Sequence, residues 1–158
     1  MTFNYFLNKI DPFFQEHNIK FGYQRKNCKK HGHYKKMIKN GLVSYEIKIE
    51  QNDNDAGKIY TLIHELTHCI NNHLDEKKLT ISQKELVCDQ VSKYFINKYD
   101  LHQEILTSQL HKKFNVLLYS ANWMKNKNVS DEKMLEINNQ IEKAIKIINY
   151  YLELNENN

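Results

Sequence analysis

Lys58-Ile-Tyr-Thr-Leu-Ile-His-Glu-Leu-Thr-His-Cys-Ile-Asn-Asn72 is the stretch on which the reading of this chain turns. Ile59, Leu62, Ile63, Leu66, Cys69 and Ile70 recur at helical spacing and form an apolar stripe, while Thr61, His64, Glu65, His68 and Asn72 gather on the other side. His64 and His68, four apart, stack one turn above the other, so both imidazoles can reach a single metal ion. Glu65 is displaced from His64 by about a third of a turn, which lets its carboxylate reach a metal-bound water without being a ligand. A solvated amphipathic helix would expose that polar side to water, whereas an active-site helix would turn it into a cleft, and the flanking stripe favours the second.

His64-Glu65-Leu66-Thr67-His68 is the H-E-x-x-H arrangement that binds zinc in metallopeptidases. A catalytic zinc needs a third protein ligand and an open position. Downstream, Glu85 in Glu85-Leu-Val-Cys-Asp89 is the candidate, with Asp89 at i+4 on the same face, able to accept the free ring N–H of a ligating histidine. Ser82-Gln83-Lys84-Glu85 also has the spacing of a capping box, so helix initiation is a second reading of Glu85. A metzincin-type third histidine would stand at position 74 after a glycine at 71; Leu74 and Asn71 stand there instead, and His73 is one residue short. His102 and His111 read as surface or cap residues. Cys28, His31 and His33 match no closed structural site, and Cys69 and Cys88 read as small buried hydrophobes beside the site.

Upstream the period changes. Val43, Tyr45, Ile47 and Ile49 alternate with polar residues as in a half-buried strand, and Asn40-Gly41 before it signals a two-residue hairpin. Pairing Lys39 with Leu42 then sets Ile38 against Val43 and Tyr34 against Ile47, with residues 19–23 as a third strand. Asp53 or Asp55 is expected to cap the His64 helix. Phe3, Phe6, Leu7 and Ile10 start an N-terminal helix that Asp11-Pro12 interrupts or restarts. A helix from about Ser82 to Tyr99 buries Leu86, Val87, Val91, Tyr94 and Phe95. Two further stripes, Leu106, Leu110, Phe114, Leu117, Ala121, Met124 and Met134, Ile137, Ile141, Ala144, Ile148, Tyr151, predict an antiparallel helical hairpin joined by residues 125–129.

The expected fold is therefore α+β in a single domain, 1–158. It comprises an N-terminal helix (1–17), a small antiparallel sheet of about three strands (19–50), a metal-site helix pair (56–99) and a C-terminal helical hairpin (101–154) that supports the domain or offers a protein partner a surface. With 41% hydrophobic and 27% charged residues, the chain can bury a real core. A net charge of +4, spread along the sequence, does not signal a nucleic-acid surface. There is no run of eighteen apolar residues and no signal-peptide pattern, and three cysteines without framework spacing fit a reducing compartment, so a cytoplasmic protein without a membrane segment is expected.

The order of strand, polar loop, His64-Glu65-x-x-His68 helix and Glu85-x-x-x-Asp89 helix resembles the gluzincins, the thermolysin-like zinc peptidases. The Tyr60-Thr-Leu-Ile-His-Glu-Leu-Thr-His68 phrasing is most similar to the ImmA/IrrE-type metallopeptidases, intracellular proteins often carried by phages and mobile elements. The resemblance, which covers about residues 42–99, implies a zincin-like minimal domain with Zn2+ held by His64, His68 and Glu85, and Asp89 orienting a histidine. It also implies Glu65 as general base in hydrolysis of a protein or peptide substrate, a regulator in that family's manner. Substrate would pair with the strand Leu42, Val43, Ser44, Tyr45, Glu46 if that strand is a sheet edge. Tyr45, Tyr94, Tyr99 and His102 are the candidate oxyanion donors. The competing reading is a non-catalytic metal-binding or metal-free interaction protein working through its C-terminal helices.

Overall fold

Asn40 and Gly41 both have positive φ, 52° and 76°, the backbone that a two-residue hairpin turn requires. The hairpin they close joins β2 (Gly32–Lys39) to β3 (Leu42–Ile49) in the expected register, Lys39 opposite Leu42 and Tyr34 opposite Ile47. This computed structural model describes residues 1–25, 28–117 and 129–154. The class is α+β as the periodicities require, but the sheet is mixed and not antiparallel: β1 (Ile19–Tyr23) runs parallel to β3, in the order β1-β3-β2. With β2 fixed on one side of β3 by the hairpin, β1 takes the other side. Its direction places Ile19, Phe21 and Tyr23 beside Tyr45, Ile47 and Ile49, apolar against apolar on one face.

Helices cover that face. α1 (Phe3–Glu16) runs unbroken through Pro12, with Phe3, Phe6, Ile10, Phe13 and Phe14 all buried. Burying five large side chains, at about 1.5–3 kcal/mol each, outweighs the roughly 3 kcal/mol that an internal proline costs. α2 (Asp55–Ile70) follows the sheet, and Ile59, Leu62, Ile63 and Leu66 meet Ile47 and Ile49 in the core. α3 (Ile81–Lys98) packs along α2, tied to it by the Ser92 hydroxyl on the Tyr60 carbonyl (3.1 Å). Tyr94 is half-exposed, outside the buried side expected for it.

The C-terminal third departs furthest from a helical hairpin. Among the described residues its first arm begins with two short helices, α4 (His102–Thr107) and α5 (Gln109–Phe114), separated by Ser108 in extended backbone. Ser108 Oγ accepts from His111 N, and the Asp53 carboxylate accepts from Gln109 N and Leu110 N at 2.7 and 3.0 Å, so α5 begins anew on side-chain caps. Leu106 and Phe114 of the expected stripe are exposed in consequence. Ala121, Met124 and the connection 125–128 lie outside the described residues. α6 (Asp131–Glu153) does bury Ile137, Ala144, Ile148 and Tyr151, but against the domain itself. Ile137 meets Leu79, Leu86 and Val87, and the Tyr151 ring meets Phe13 edge-on at 5.3 Å. Its apolar seam is thus consumed internally. Among the described residues no helix is long and apolar enough to cross a membrane.

β2 enters the sheet in close contact with α2. A Cβ on Gly32 would lie 2.6 Å from Thr61 Cγ2 and 2.9 Å from Glu65 Oε1. Thr61 cannot yield cheaply, since it is buried and its hydroxyl donates to the Gly57 carbonyl at 3.0 Å. Gly32→Ala should therefore lower unfolding stability by about 1–3 kcal/mol, read as a shift of the urea midpoint; an unshifted midpoint would show that strand and helix separate at no cost.

Candidate metal centre

α2 is presented to the site by capping one residue away from either expected aspartate. Asn54 is the N-cap, its Oδ1 accepting from Gly57 N at 2.9 Å, while its amide donates to the Glu104 carbonyl at 2.8 Å. Asp53 is engaged by α5, and Asp55 pairs with Lys58. The helix therefore starts on a fixed point shared with α4 and α5.

The alternative assignment of Glu85 is resolved at the start of α3. Thr80 is the N-cap and Gln83 completes the box, with Thr80 Oγ1 accepting from Gln83 N and Gln83 Oε1 from Thr80 N. Both patterns satisfy the same spacing rule, and the earlier one starts the helix. Glu85 is left free of capping and faces α2. Its two oxygens divide between the two histidines: Oε2 is 3.0 Å from His64 Nε2 and Oε1 is 3.2 Å from His68 Nε2. The two helices thus meet through the three expected ligand residues.

Each histidine's other nitrogen is also engaged. His64 Nδ1 donates to Asp89 Oδ1 at 3.0 Å, and the buried Tyr60 hydroxyl donates to the same oxygen at 3.1 Å. His68 Nδ1 lies 2.9 Å from His73 Nδ1, and His73 Nε2 lies 2.7 Å from Gln140 Oε1. Asp89 thereby takes the place expected of it, orienting His64.

Charge is concentrated here. Burial disfavours the His64 imidazolium, but hydrogen bonds to Asp89 and Glu85 more than reverse this and raise its pKa well above the ordinary histidine value. Burial likewise raises Glu85, yet the bonds from His64 and His68 hold it well below the usual carboxylate range. Glu65, buried beside Gly32, is pushed upward by burial against the opposing pull of His64 and His68. A carboxyl raised toward neutrality next to two imidazoles is suited to accept and return a proton.

Cys88 belongs to this cluster as well. One ligand atom each from His64, His68 and Cys88 lies within 4.8 Å of the others, so this group could hold a metal ion. Cys88 is fully buried, and burial pushes its thiol well above the ordinary range, so a thiolate would form here only with a cation beside it. Sequence reasoning placed Cys88 beside the site as a hydrophobe; its position one turn after Glu85 on α3 was the available signal that it shares the ligand face. His73 was set aside for its spacing, and Gln140 carries no signal at all, since it reaches the site from 67 positions away.

His64, Glu65, His68, His73, Glu85 and Asp89 line a cleft of about 650 Å³ that Gly32, His33 and Tyr34 border on one side and Phe114 and Val116 on another. Leu42, Val43, Ser44, Tyr45 and Glu46 do not line it. β3 is the middle strand, with Tyr45 and Glu46 paired on both sides, so the expected substrate edge is not an edge; β2 is. Tyr45, Tyr94, Tyr99 and His102 are likewise absent from the cleft wall, whereas His31, His33, Tyr34 and Tyr60 are on it. The Tyr34 ring stacks parallel to His68 at 6.2 Å. Cys28, His31 and His33 do not converge: Cys28 is exposed, His33 lies 3.4 Å from Glu46, and His31 faces Asp53 and Phe114.

Comparison with protein-family models, curated proteins and solved structures finds no match to this chain. A divalent ion taken up by the histidine cluster should raise the thermal unfolding midpoint, the stabilisation reaching about 2.7 kcal/mol when free ion is a hundredfold above Kd. His68→Ala should abolish that rise in a calorimetric scan with Zn2+ or Co2+, and a rise that survives the substitution would place the ion elsewhere.

Proposed function

We propose that the protein is a zinc-dependent endopeptidase of the gluzincin kind, with His64, His68 and Glu85 as ligands and Glu65 as general base. The observation that supports it most is the Glu85 carboxylate facing the Nε2 atoms of both histidines while Asp89 occupies the far nitrogen of His64. Two imidazoles and a carboxylate converging at 3.0–3.2 Å, from adjacent helices, match the donor set of a catalytic zinc site. When bound, the ion would lower the pKa of a coordinated water to about 7 and polarise a substrate carbonyl.

The chain's own residues would do the rest. Glu65 takes a proton from the attacking water and delivers it to the leaving amine, a role its raised pKa favours. β2, the sheet edge that borders the cleft through Gly32, His33 and Tyr34, would hold an extended peptide by backbone pairing. His31 and His33 are the cleft-lining candidates to donate to the carbonyl oxygen. Three free cysteines suit the cytoplasm, and the resemblance to ImmA/IrrE-type enzymes would make a regulatory protein the natural substrate.

Cys88 favours a second reading. If it ligates together with His64, His68 and Glu85, four protein donors close the coordination sphere and the metal is structural. Cys88 is wholly buried whereas the Glu85 side chain is 44% exposed toward the cleft, which supports the open, catalytic arrangement.

Metal analysis with cleavage assays against unfolded protein substrates tests this. Wild type should carry one zinc, Glu85→Ala should lose it, and Cys88→Ser should keep it. Glu65→Gln should retain zinc but lose cleavage by at least about a hundredfold. A wild type without zinc sinks the proposal, and retained zinc with no cleavage by any form supports the structural reading.

A further inference from the structure

His73 and Gln140 are buried, lie behind His68 on the side away from Glu85, and are not accounted for by ligation or by proton transfer. Their hydrogen bonds have a direction. Gln140 Nε2 donates to Glu136 Oε1 at 3.0 Å, one turn back on α6, and this turns the amide oxygen toward His73. An amide oxygen only accepts, so at 2.7 Å His73 Nε2 must carry the hydrogen. His73 is buried with no carboxylate on either ring nitrogen, which leaves it neutral, with one donor and one acceptor, and makes Nδ1 the acceptor. His68 Nδ1, 2.9 Å away, must then donate to it. His68 Nδ1 thus keeps its hydrogen, and Nε2, whose own hydrogen meets Glu85 Oε1 at 3.2 Å, is the nitrogen that would exchange it for a metal.

We propose that Glu136, Gln140 and His73 are positioning residues that fix His68 in its Nδ1–H tautomer and so direct the Nε2 lone pair at the metal. The proposal rests on the metal reading above and adds to it that α6 is part of the site's construction. The Gln140 carbonyl also accepts from Asn71 Nδ2 at 3.3 Å, so the same α6 residue holds the C-terminal end of α2 through its backbone and orders the proton of His68 through its side chain. The Lys84 ammonium on the His73 carbonyl, 2.7 Å, ties the intervening turn to α3. The two ligand histidines are thus oriented by different chemistry: His64 by a carboxylate, His68 by a neutral imidazole backed by an amide.

The test uses the full chain, Zn2+ and a competing chelator, with nitrogen-15-labelled histidine spectra. In zinc-loaded wild type His73 should appear as the Nε2–H tautomer and His68 as the Nδ1–H tautomer with Nε2 shifted by the metal. His73→Leu should weaken zinc binding by about 10–100-fold, whereas His73→Asn, which keeps an acceptor oxygen near the Nδ1 position, should stay within about threefold. The opposite tautomers in wild type would overturn the proposal whether or not the variants fold. So would His73→Leu binding as tightly as wild type, or His73→Asn binding as weakly as His73→Leu with both melting like wild type. Wild type that binds no zinc removes the metal reading and the relay together; wild type that binds with variants indifferent removes the relay alone.

Discussion

The Glu85 carboxylate between the Nε2 atoms of His64 and His68 is the interaction around which the rest is arranged. One acid bridges two bases on a neighbouring helix, and this requires α2 and α3 to lie side by side with a defined rotation and stagger. Removing such a cluster from water is expensive, and a well-packed apolar contact of equal volume would often serve stability as well or better. Its partners show how the expense is offset. Asp89 and His73 occupy the far nitrogens of the two imidazoles, and Tyr60 donates to the Asp89 oxygen that meets His64, so each ring is held from both ends. An arrangement in which orientation is specified this closely is the kind that metal binding demands and packing does not.

Much of this was legible in the residues. Helical spacing marked α2 and its two faces, and the Asn40-Gly41 pair set the hairpin register to the residue. The spacing of Glu85 and Asp89 placed both acids on one face of the next helix. What escaped was of two physical kinds. Where two local solutions satisfy one rule, sequence does not rank them: Asn54 caps α2 although Asp53 and Asp55 flank it, and Thr80-Gln83 starts α3 although Ser82-Glu85 has the same spacing. Ser108 likewise broke an apolar stripe that continued past it, because Asp53, distant in sequence, supplied caps for a new helix start. The second kind is long-range. Nothing near Gln140 announces that it meets His73, and nothing in β1 states its direction relative to β3.

Strand order has the larger functional weight. The alternation from Leu42 onward marks a strand, yet alternation reports which faces are wet and is silent on which strands flank it. In the sheet, the strand with the strongest pattern is the middle one, and the less regular β2 takes the edge beside the histidine-lined cleft. The bare Cα of Gly32 allows that edge to approach Glu65 closely.

The union of α6 with the end of α2 has a consequence in time. Synthesis is vectorial, and at roughly 5–20 residues per second the interval between His73 and Gln140 takes on the order of 3–13 s to translate. Through that interval His64, His68 and Glu85 already exist on the nascent chain, but the residue that backs His73 does not. The histidine cluster therefore matures late, in the order in which the polypeptide is made, and a chain released before α6 carries His64, His68 and Glu85 without the contact that backs His73.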